Sequence, residues 1–336
     1  MKKTALIFLI MLILFTAYLW FDHHNQPADR WRQTPAEDRL ITIEPGTSLQ
    51  QISSLLEDKG VIRSKYLFQA YVFLNDLQGG LQAGTYRFGS EVEVDEIVYK
   101  ISNGVVADER ITIPEGFTLK QISHRVSEQL PIESEEFLQA AEKNDWDRDY
   151  LPRREDVKWK LEGYLYPSTY NVNYDISAES LITRMLNRFE NEWLEDLKQI
   201  TGEEEENFSI NDFVTIASLV EKEGKLEKEK PLIAGVIFNR LNRGMKLQID
   251  AGVQYALPER KERLLYSDLE VESNYNTYLH SGLPPGPIAS PSSKSIRAVL
   301  EPEETDYLFY FARPDGSHVF TETYQEHLRQ QRNLLD

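Results

Sequence analysis

The chain has no cysteine among its 336 residues. Disulfide scaffolds, zinc knuckles and thiol catalysis are excluded, and the fold does not depend on redox state. Positive charge is also scarce: 37 Lys and Arg stand against 55 Asp and Glu, a formal net charge of −18. A surface of that sign cannot displace counterions from a phosphate backbone, so nucleic acid is not a partner. Several motifs are missing too. No His-Glu-x-x-His, Gly-x-Ser-x-Gly, Ser-x-x-Lys or Walker-type glycine loop occurs, which removes support for zinc peptidases, α/β-hydrolases, penicillin-binding acyl-enzymes and P-loop NTPases. His23 and His24 adjoin in a polar stretch without further ligands, so no metal or cofactor is expected.

What remains is a chain 41% hydrophobic and 27% charged, enough for two or three folded units of roughly 100–200 residues each. Lys2 and Lys3 precede an uncharged run, ALIFLIMLILFTAYLWF, from Ala5 to Phe21. As a helix rising about 1.5 Å per residue it spans roughly 26 Å, and bulky residues stand where a signal-peptide cleavage site needs small ones. The expectation is an uncleaved single-pass anchor in the cell membrane, with the two lysines cytoplasmic and the rest of the chain outside. Residues 23–39 contain two prolines and no hydrophobic period, which predicts a flexible tether.

An internal echo follows. ITIEPGTSLQQIS (41–53) and ITIPEGFTLKQIS (111–123) agree at eight of thirteen positions at an offset of 70. Each copy reads as a short strand, a glycine turn (Gly46, Gly116), a capping Ser48 or Thr118, and a helix. The first copy continues through a helix over Tyr66 to Leu77, a strand in LQAGTYRF, and a helix over Asp95 to Ile101 closed by Asn103-Gly104. That order resembles the LysM type of glycan-binding domain, which implies wall binding, although the same module could simply space the next domain.

The segment with chemical content is the helix NDFVTIASLVEKE, with Asn211 as expected cap and Gly224 as its stop. At 100° per residue its apolar residues form one arc that includes Glu221 and, at the opposite margin, Glu223, while Lys222, Thr215 and Ser218 point outward. Burial against apolar neighbours and the negative helix C-terminus both favour a neutral glutamate. Such a group can protonate a glycosidic oxygen; a buried ion pair is the structural alternative.

LEGYLYPSTY (161–170) and the Pro/Gly-rich YNTYLHSGLPPGPI (275–288) complete the pattern. With LVEKEG they closely resemble the endolytic murein transglycosylases of the YceG-like family, over about residues 40–330. The resemblance implies a lyase that cuts between MurNAc and GlcNAc within peptidoglycan strands, leaving 1,6-anhydro-MurNAc ends. It implies Glu221 as catalytic acid, peptidoglycan strands as substrate, and cooperation with peptidoglycan synthases (penicillin-binding proteins). The substrate-positioning candidates are Glu162, Tyr166, Glu223, Asn239, Arg240, Gln248, Asp250, Tyr275 and Asn276. Arg240 could pair with Asp250, Glu223 or a wall-peptide carboxylate. The family commonly continues the aspartate with Pro-Thr, whereas this chain has Asp250-Ala251-Gly252.

The expected fold class is α+β. A cytoplasmic tip and anchor (1–22) lead through the tether (23–39) and a LysM-like module (40–108) to a mixed α/β catalytic domain (109–336). In that domain 109–155 is a connecting repeat and 156–336 the core. Competing outcomes are a glycan hydrolase of similar architecture, or a wall-binding scaffold without turnover.

Overall fold

A computed structural model describes residues 11–12, 15–16, 25–143, 146–201 and 208–335. Its backbone separates into two compact units, residues up to 109 together with 171–175, and residues 110–170 together with 176–336.

In the first unit, helix α1 (Asp29–Gln33) precedes strand β1 (Leu40–Ile43), α2 (Leu49–Lys59), α3 (Lys65–Leu74), β2 (Gly84–Arg87) and α4 (Val94–Asn103). β1 and β2 run antiparallel, with Leu40 opposite Arg87 and Ile43 opposite Gly84. The Ser48 hydroxyl accepts from Gln51 N while the Gln51 side chain returns to the Ser48 backbone, a capping box that satisfies two otherwise unpaired donors. Ile41, Ile52, Leu56, Phe68, Tyr86, Ile97 and Ile101 share one core.

Three expectations are corrected here. Residues 23–39 are not a free tether over their described part: Trp31 is 3% exposed in the core, and its indole N–H donates to Gly89 O at 3.0 Å. The LysM-like assignment does not hold either. α4 buries Ile97, Val98 and Ile101 in the same core, and the unit draws residues 171–175 back from later in the chain, where Tyr174 N donates to Ala107 O at 2.8 Å. Residues 40–108 are therefore not a self-contained module. Finally, among the described residues no helix is long and apolar enough to cross a membrane. Of the stretch 5–21 only Met11, Leu12, Phe15 and Thr16 are described, in helical pieces of two residues, and the rest of the expected anchor lies outside the described residues. No membrane span, membrane partner or single-pass location is assigned.

The chain passes between the units at β3 (Asp108–Thr112), which pairs with β4 (Thr169–Asn173). The second unit holds α5 (Leu119–Gln129), α6 (Ser134–Lys143), α7 (Ala178–Phe189), a π-turn at Glu190–Leu194 and α8 (Glu195–Thr201). It continues through α9 (Ile210–Glu223), α10 (Lys230–Asn242), α11 (Asp250–Ala256), α12 (Ser293–Leu300), the hairpin β5 (Phe309–Ala312) and β6 (His318–Thr321), and α13 (Tyr324–Leu335). Thr118 and Gln121 repeat the capping box of the first copy. α9 lies at the centre, packed against both α10 and α12.

That centrality alters the expected helix faces. Every residue from Phe213 to Val220 is buried, and Thr215 and Ser218 are 0% exposed rather than outward. The N-cap is Ser209, boxed with Asp212, not Asn211. Asn211 and Ser218 instead secure the proline-rich loop: Asn211 Nδ2 donates to Pro285 O at 3.1 Å, and Ser218 Oγ accepts from Ile288 N at 3.0 Å. Residues 284–292 are buried throughout although they form no helix or strand. Gly163 completes the packing. Its φ is +85°, and a Cβ there would stand 2.4 Å from Pro287 Cβ, so LEGYLYPSTY and GLPPGPI interlock only with glycine at that point.

Candidate active site

α9 ends where the interlocked loop delivers Ser292 to the N-terminus of α12. Glu221 projects into that junction. Its Oε2 accepts from Ser292 N at 3.1 Å, from the Ser292 and Ser295 hydroxyls, and from Lys230 Nζ at 2.9 Å. Lys230 also donates to Ser292 Oγ at 3.1 Å. The side chains of Lys230 and Glu221 are 6% and 12% exposed, so this is a nearly buried ion pair. All four donors converge on one oxygen. Oε1 accepts none of these bonds and lies on the side of Gly116, where a Cβ would approach it to 3.9 Å. Gly116 has φ +71°, its N–H donates to Ser290 O at 2.8 Å, and its carbonyl accepts from Lys222 Nζ at 3.0 Å.

The electrostatics reverse the expectation for Glu221. Burial raises its pKa, but the hydroxyls of Ser292 and Ser295 and the Lys230 ammonium outweigh burial and hold the group below the usual carboxylate range. The positive end of α12 acts in the same sense and offsets the C-terminal field of α9. Glu221 rests ionised.

Two other buried glutamates shift the opposite way. Glu223 is pushed up to about 7, chiefly by burial, against the opposing effect of the Tyr310 hydroxyl, which donates to Oε2 at 3.2 Å. Glu162, 2% exposed, is likewise raised to about 7 by burial. It accepts from Leu119 N at 2.9 Å and from the Tyr255 hydroxyl at 3.0 Å, and so holds the start of α5.

Glu162 lies in a cleft of about 180 Å³ whose walls include Thr118, Lys158, Trp159, Lys222 and Tyr255. A Cβ at Gly116 would meet both Glu221 Cγ at 3.6 Å and Lys222 Cδ at 4.0 Å, so the cleft-lining Lys222 and the carboxylate lie side by side.

The other sequence candidates divide by what they touch. Gln248 and Asp250 are exposed. Gln248 has φ +51°, a conformation uncommon for a side-chain-bearing residue, and Asp250 accepts from the Tyr278 hydroxyl at 2.6 Å. Asp250-Ala251-Gly252, the departure from the family pattern, opens α11. Tyr166 is 8% exposed, with its hydroxyl 2.9 Å from Ser293 Oγ. Tyr275 accepts from Lys158 N at 3.0 Å and packs on Tyr255 with ring centroids 4.9 Å apart. Asn239 donates to Thr305 O and Tyr307 O at 2.6 and 3.0 Å, and Asn276 donates to Leu269 O and Val271 O, both at 2.9 Å.

Arg240 pairs with no carboxylate among the described residues. It donates to Leu308 O and Leu247 O, each at 2.6 Å, and lies over the Phe309 ring. These five side chains hold backbone and packing. Lys230, Ser292 and Ser295 were missed from sequence. The available signals were a lysine opening an apolar helix, KPLIAGVIF, and Ser-Pro-Ser-Ser after the proline-rich loop.

Comparison with known proteins finds one family throughout. The model of the YceG-like family matches residues 41–333. The endolytic murein transglycosylase of Bacillus subtilis is 34% identical, over 94% of this chain and 89% of the relative. That of Streptococcus pneumoniae is 29% identical, over 97% of this chain but 64% of its own length. A crystal structure of a YceG-like protein from Listeria monocytogenes is 35% identical, with a TM-score of 0.59 over 86% of this chain and 97% of that one.

Proposed function

Because the chain belongs to the YceG-like family, we propose that it is an endolytic murein transglycosylase in which Glu221 is the single acid/base. The observation that carries this reading is the asymmetry of Glu221: among the described residues Oε2 receives all four donors and Oε1 receives none of them. The carboxyl is held rigidly by one oxygen and offers the other to a substrate.

The reaction needs no second carboxylate. A proton on Oε1 passes to the glycosidic oxygen of the departing GlcNAc as the bond from C1 of MurNAc breaks. The 6-hydroxyl of the same MurNAc attacks C1, forms the 1,6-anhydro bond and returns its proton to Glu221. No water is consumed, and the enzyme ends in its starting state. A retaining hydrolase would instead place a nucleophilic carboxylate about 5–5.5 Å from the acid. Glu223 does not suit that role, since its carboxyl is occupied by Tyr310.

The donors around Oε2 have a defined part in this sequence. They stabilise the carboxylate that appears once the proton has left, which makes the protonated form a strong acid. The corollary is that few molecules hold the proton at neutral pH, so turnover rises as pH falls toward the lowered pKa of Glu221.

Digestion of purified wall glycan, with products analysed by mass, tests the proposal. Anhydro ends without incorporation of ¹⁸O from labelled water are expected. Reducing ends carrying ¹⁸O would make the protein a hydrolase, and intact strands would remove the catalytic reading.

A further inference from the structure

The cleft beside Glu221 inverts the charge character of the whole molecule. Carboxylates outnumber cations 55 to 37 in the chain, yet Lys120, Lys158, Lys222 and Arg260 converge on this one cleft. Among the described residues the one acid in its lining is Glu162, whose two oxygens are already taken by Leu119 N and the Tyr255 hydroxyl. None of the four cations forms an ion pair among the described residues, unlike nearby Lys261 and Arg154, which pair with Asp268 and Asp156.

The four cations press on one another. After desolvation, the charge of Lys120 lowers the pKa of Lys158, and the charge of Arg260 lowers that of Lys222. Glu221 offsets this repulsion at Lys222, and Glu162, raised to about 7, does so in part at both Lys222 and Lys158. Like charges gathered at a partly dehydrated wall are unfavourable until an anion arrives, and the attraction offered to that anion is correspondingly large. Two aromatic side chains, Trp159 and Tyr255, complete the wall. They add an apolar surface next to the charge, as sites for small organic groups do.

We propose that this cleft is a subsite for a carboxylate carried by the muramyl residue at the cleaved bond, with Lys120, Lys158, Lys222 and Arg260 as its counter-charges. The inference rests on the transglycosylase reading, because that reading supplies the anion. A muramyl sugar bears a lactyl ether whose carboxyl is free in peptide-stripped strands, while in stem-bearing strands it is amide-bonded and the free carboxylates are those of the peptide. Lys222 links the cleft to the reaction, since it follows Glu221 and anchors Gly116. A carboxylate held there would fix the register of the strand against Glu221.

The test uses the full chain and the double variant Lys120→Ala/Arg260→Ala, both exposed positions, on three substrates: stem-bearing strands, peptide-stripped strands, and stem-bearing strands whose carboxylates have been converted to methylamides. The variant should raise KM on stem-bearing strands about tenfold with kcat little changed. In the wild type, methylamidation should have a similar effect, and its effect should shrink to less than twofold in the variant. The difference between the proteins should also narrow as salt is raised. A KM increase confined to stem-bearing strands identifies the peptide carboxylate as the anion, and an increase confined to stripped strands identifies the lactyl carboxylate. Equal KM for wild type and variant on both unmodified strands would overturn the subsite while leaving the transglycosylase reading intact.

If the wild type cuts no strand, it is the activity reading that fails. The subsite is then decided by calorimetric titration of N-acetylmuramic acid and a muramyl dipeptide, with N-acetylglucosamine as the uncharged control. Binding of either acid that the double variant weakens tenfold upholds it, and binding indistinguishable from the control rejects it.

Discussion

Glu221 and Glu223 stand two residues apart on the last turn of α9, and the structure moves their pKa values in opposite directions. Glu221 faces the N-terminus of α12, where Lys230 and two serine hydroxyls hold it ionised. Glu223 turns toward the β5–β6 hairpin, where burial prevails over one tyrosine hydroxyl and raises it to about 7. Both are desolvated, so burial does not separate them. The difference lies in the donors: one buried cation and a helix terminus against a single phenol. Position on an amphipathic helix tells which carboxylates are dehydrated, and only the partners brought by other elements decide which of them stay charged.

The sharpest way to break this comparison is to remove the charge from Glu221. Glu221→Gln should lower strand cleavage by roughly 10²–10⁴-fold, the range for loss of a general acid/base. It should also destabilise the protein by about 3–5 kcal/mol, because the buried Lys230 ammonium loses its counter-charge. Adding Lys230→Met should recover most of the stability and none of the activity. Urea denaturation and product analysis of the two variants check both parts, and a double variant that regains activity would contradict the role of Glu221. Lys230→Met alone makes Glu221 resemble Glu223: burial is then opposed by Ser292, Ser295 and the α12 N-terminus without a cation, and the alkaline limb of the pH–rate profile, where Glu221 loses its proton, should move upward.

These partners explain how far the sequence could be read. The helix bearing Glu221 and Glu223, the glycine turns at 46 and 116, and the Ser48 and Thr118 caps were legible because each is a local pattern of a few residues. The proline-rich loop could be recognised as shaped because proline and glycine restrict the backbone themselves. Lys230 and Ser292 could not be paired with Glu221 in advance, since Ser292 lies seventy-one residues downstream and reaches Glu221 only after Gly163 has admitted Pro287. Ser218 misled for a related reason. A helix packed on several sides has no solvent face, and its polar residues bond inward to loop backbone. The cleft cations stood on four separate segments, so no linear pattern announced them. Trp31 was a single aromatic in a polar stretch, and nothing local marked it as a core residue.

The second test sharpens the comparison through pH. Glu221 has a folded pKa below its unfolded value, so the stability it contributes is present above the unfolded pKa and is lost as pH falls through the folded one. Glu223 and Glu162 are raised to about 7, so their contribution has the opposite sign: it is complete below the ordinary value of 4.5 and declines as pH rises from there to about 7. Each such shift corresponds to about 3 kcal/mol. Stability should therefore peak near pH 4.5 and fall toward neutrality, and Glu223→Gln should remove about half of that fall. Denaturant midpoints measured from pH 3 to 8 would expose a flat or rising profile if the two carboxyls were ionised.

A smaller effect is expected at Ser292, which caps α12 and donates to Glu221. Ser292→Ala removes the cap and one hydroxyl from Oε2, at about 1–2 kcal/mol. Ser295, Ser292 N and Lys230 still reach the same oxygen, so Glu221 should remain ionised and cleavage should persist at a reduced rate. Loss of activity as complete as in Glu221→Gln would mean that the hydroxyl itself takes part in proton transfer.

The smallest change falls on the other carboxyl. Tyr310→Phe deletes the phenol that donates to Glu223 and leaves the ring in place among His318 and Phe320. That hydroxyl opposes burial, so its removal should raise Glu223 above 7, with a stability change of about 1 kcal/mol. The consequence for pH is specific. The decline in stability that ends near 7 in the wild type should extend to higher pH in the variant, while strand cleavage changes little because Glu221 keeps all its donors. Carboxyl ¹³C titration of Glu223 in both proteins reads the shift directly. An unchanged value would mean that burial, Asp250 and the backbone of Ala251, rather than Tyr310, govern the charge of Glu223.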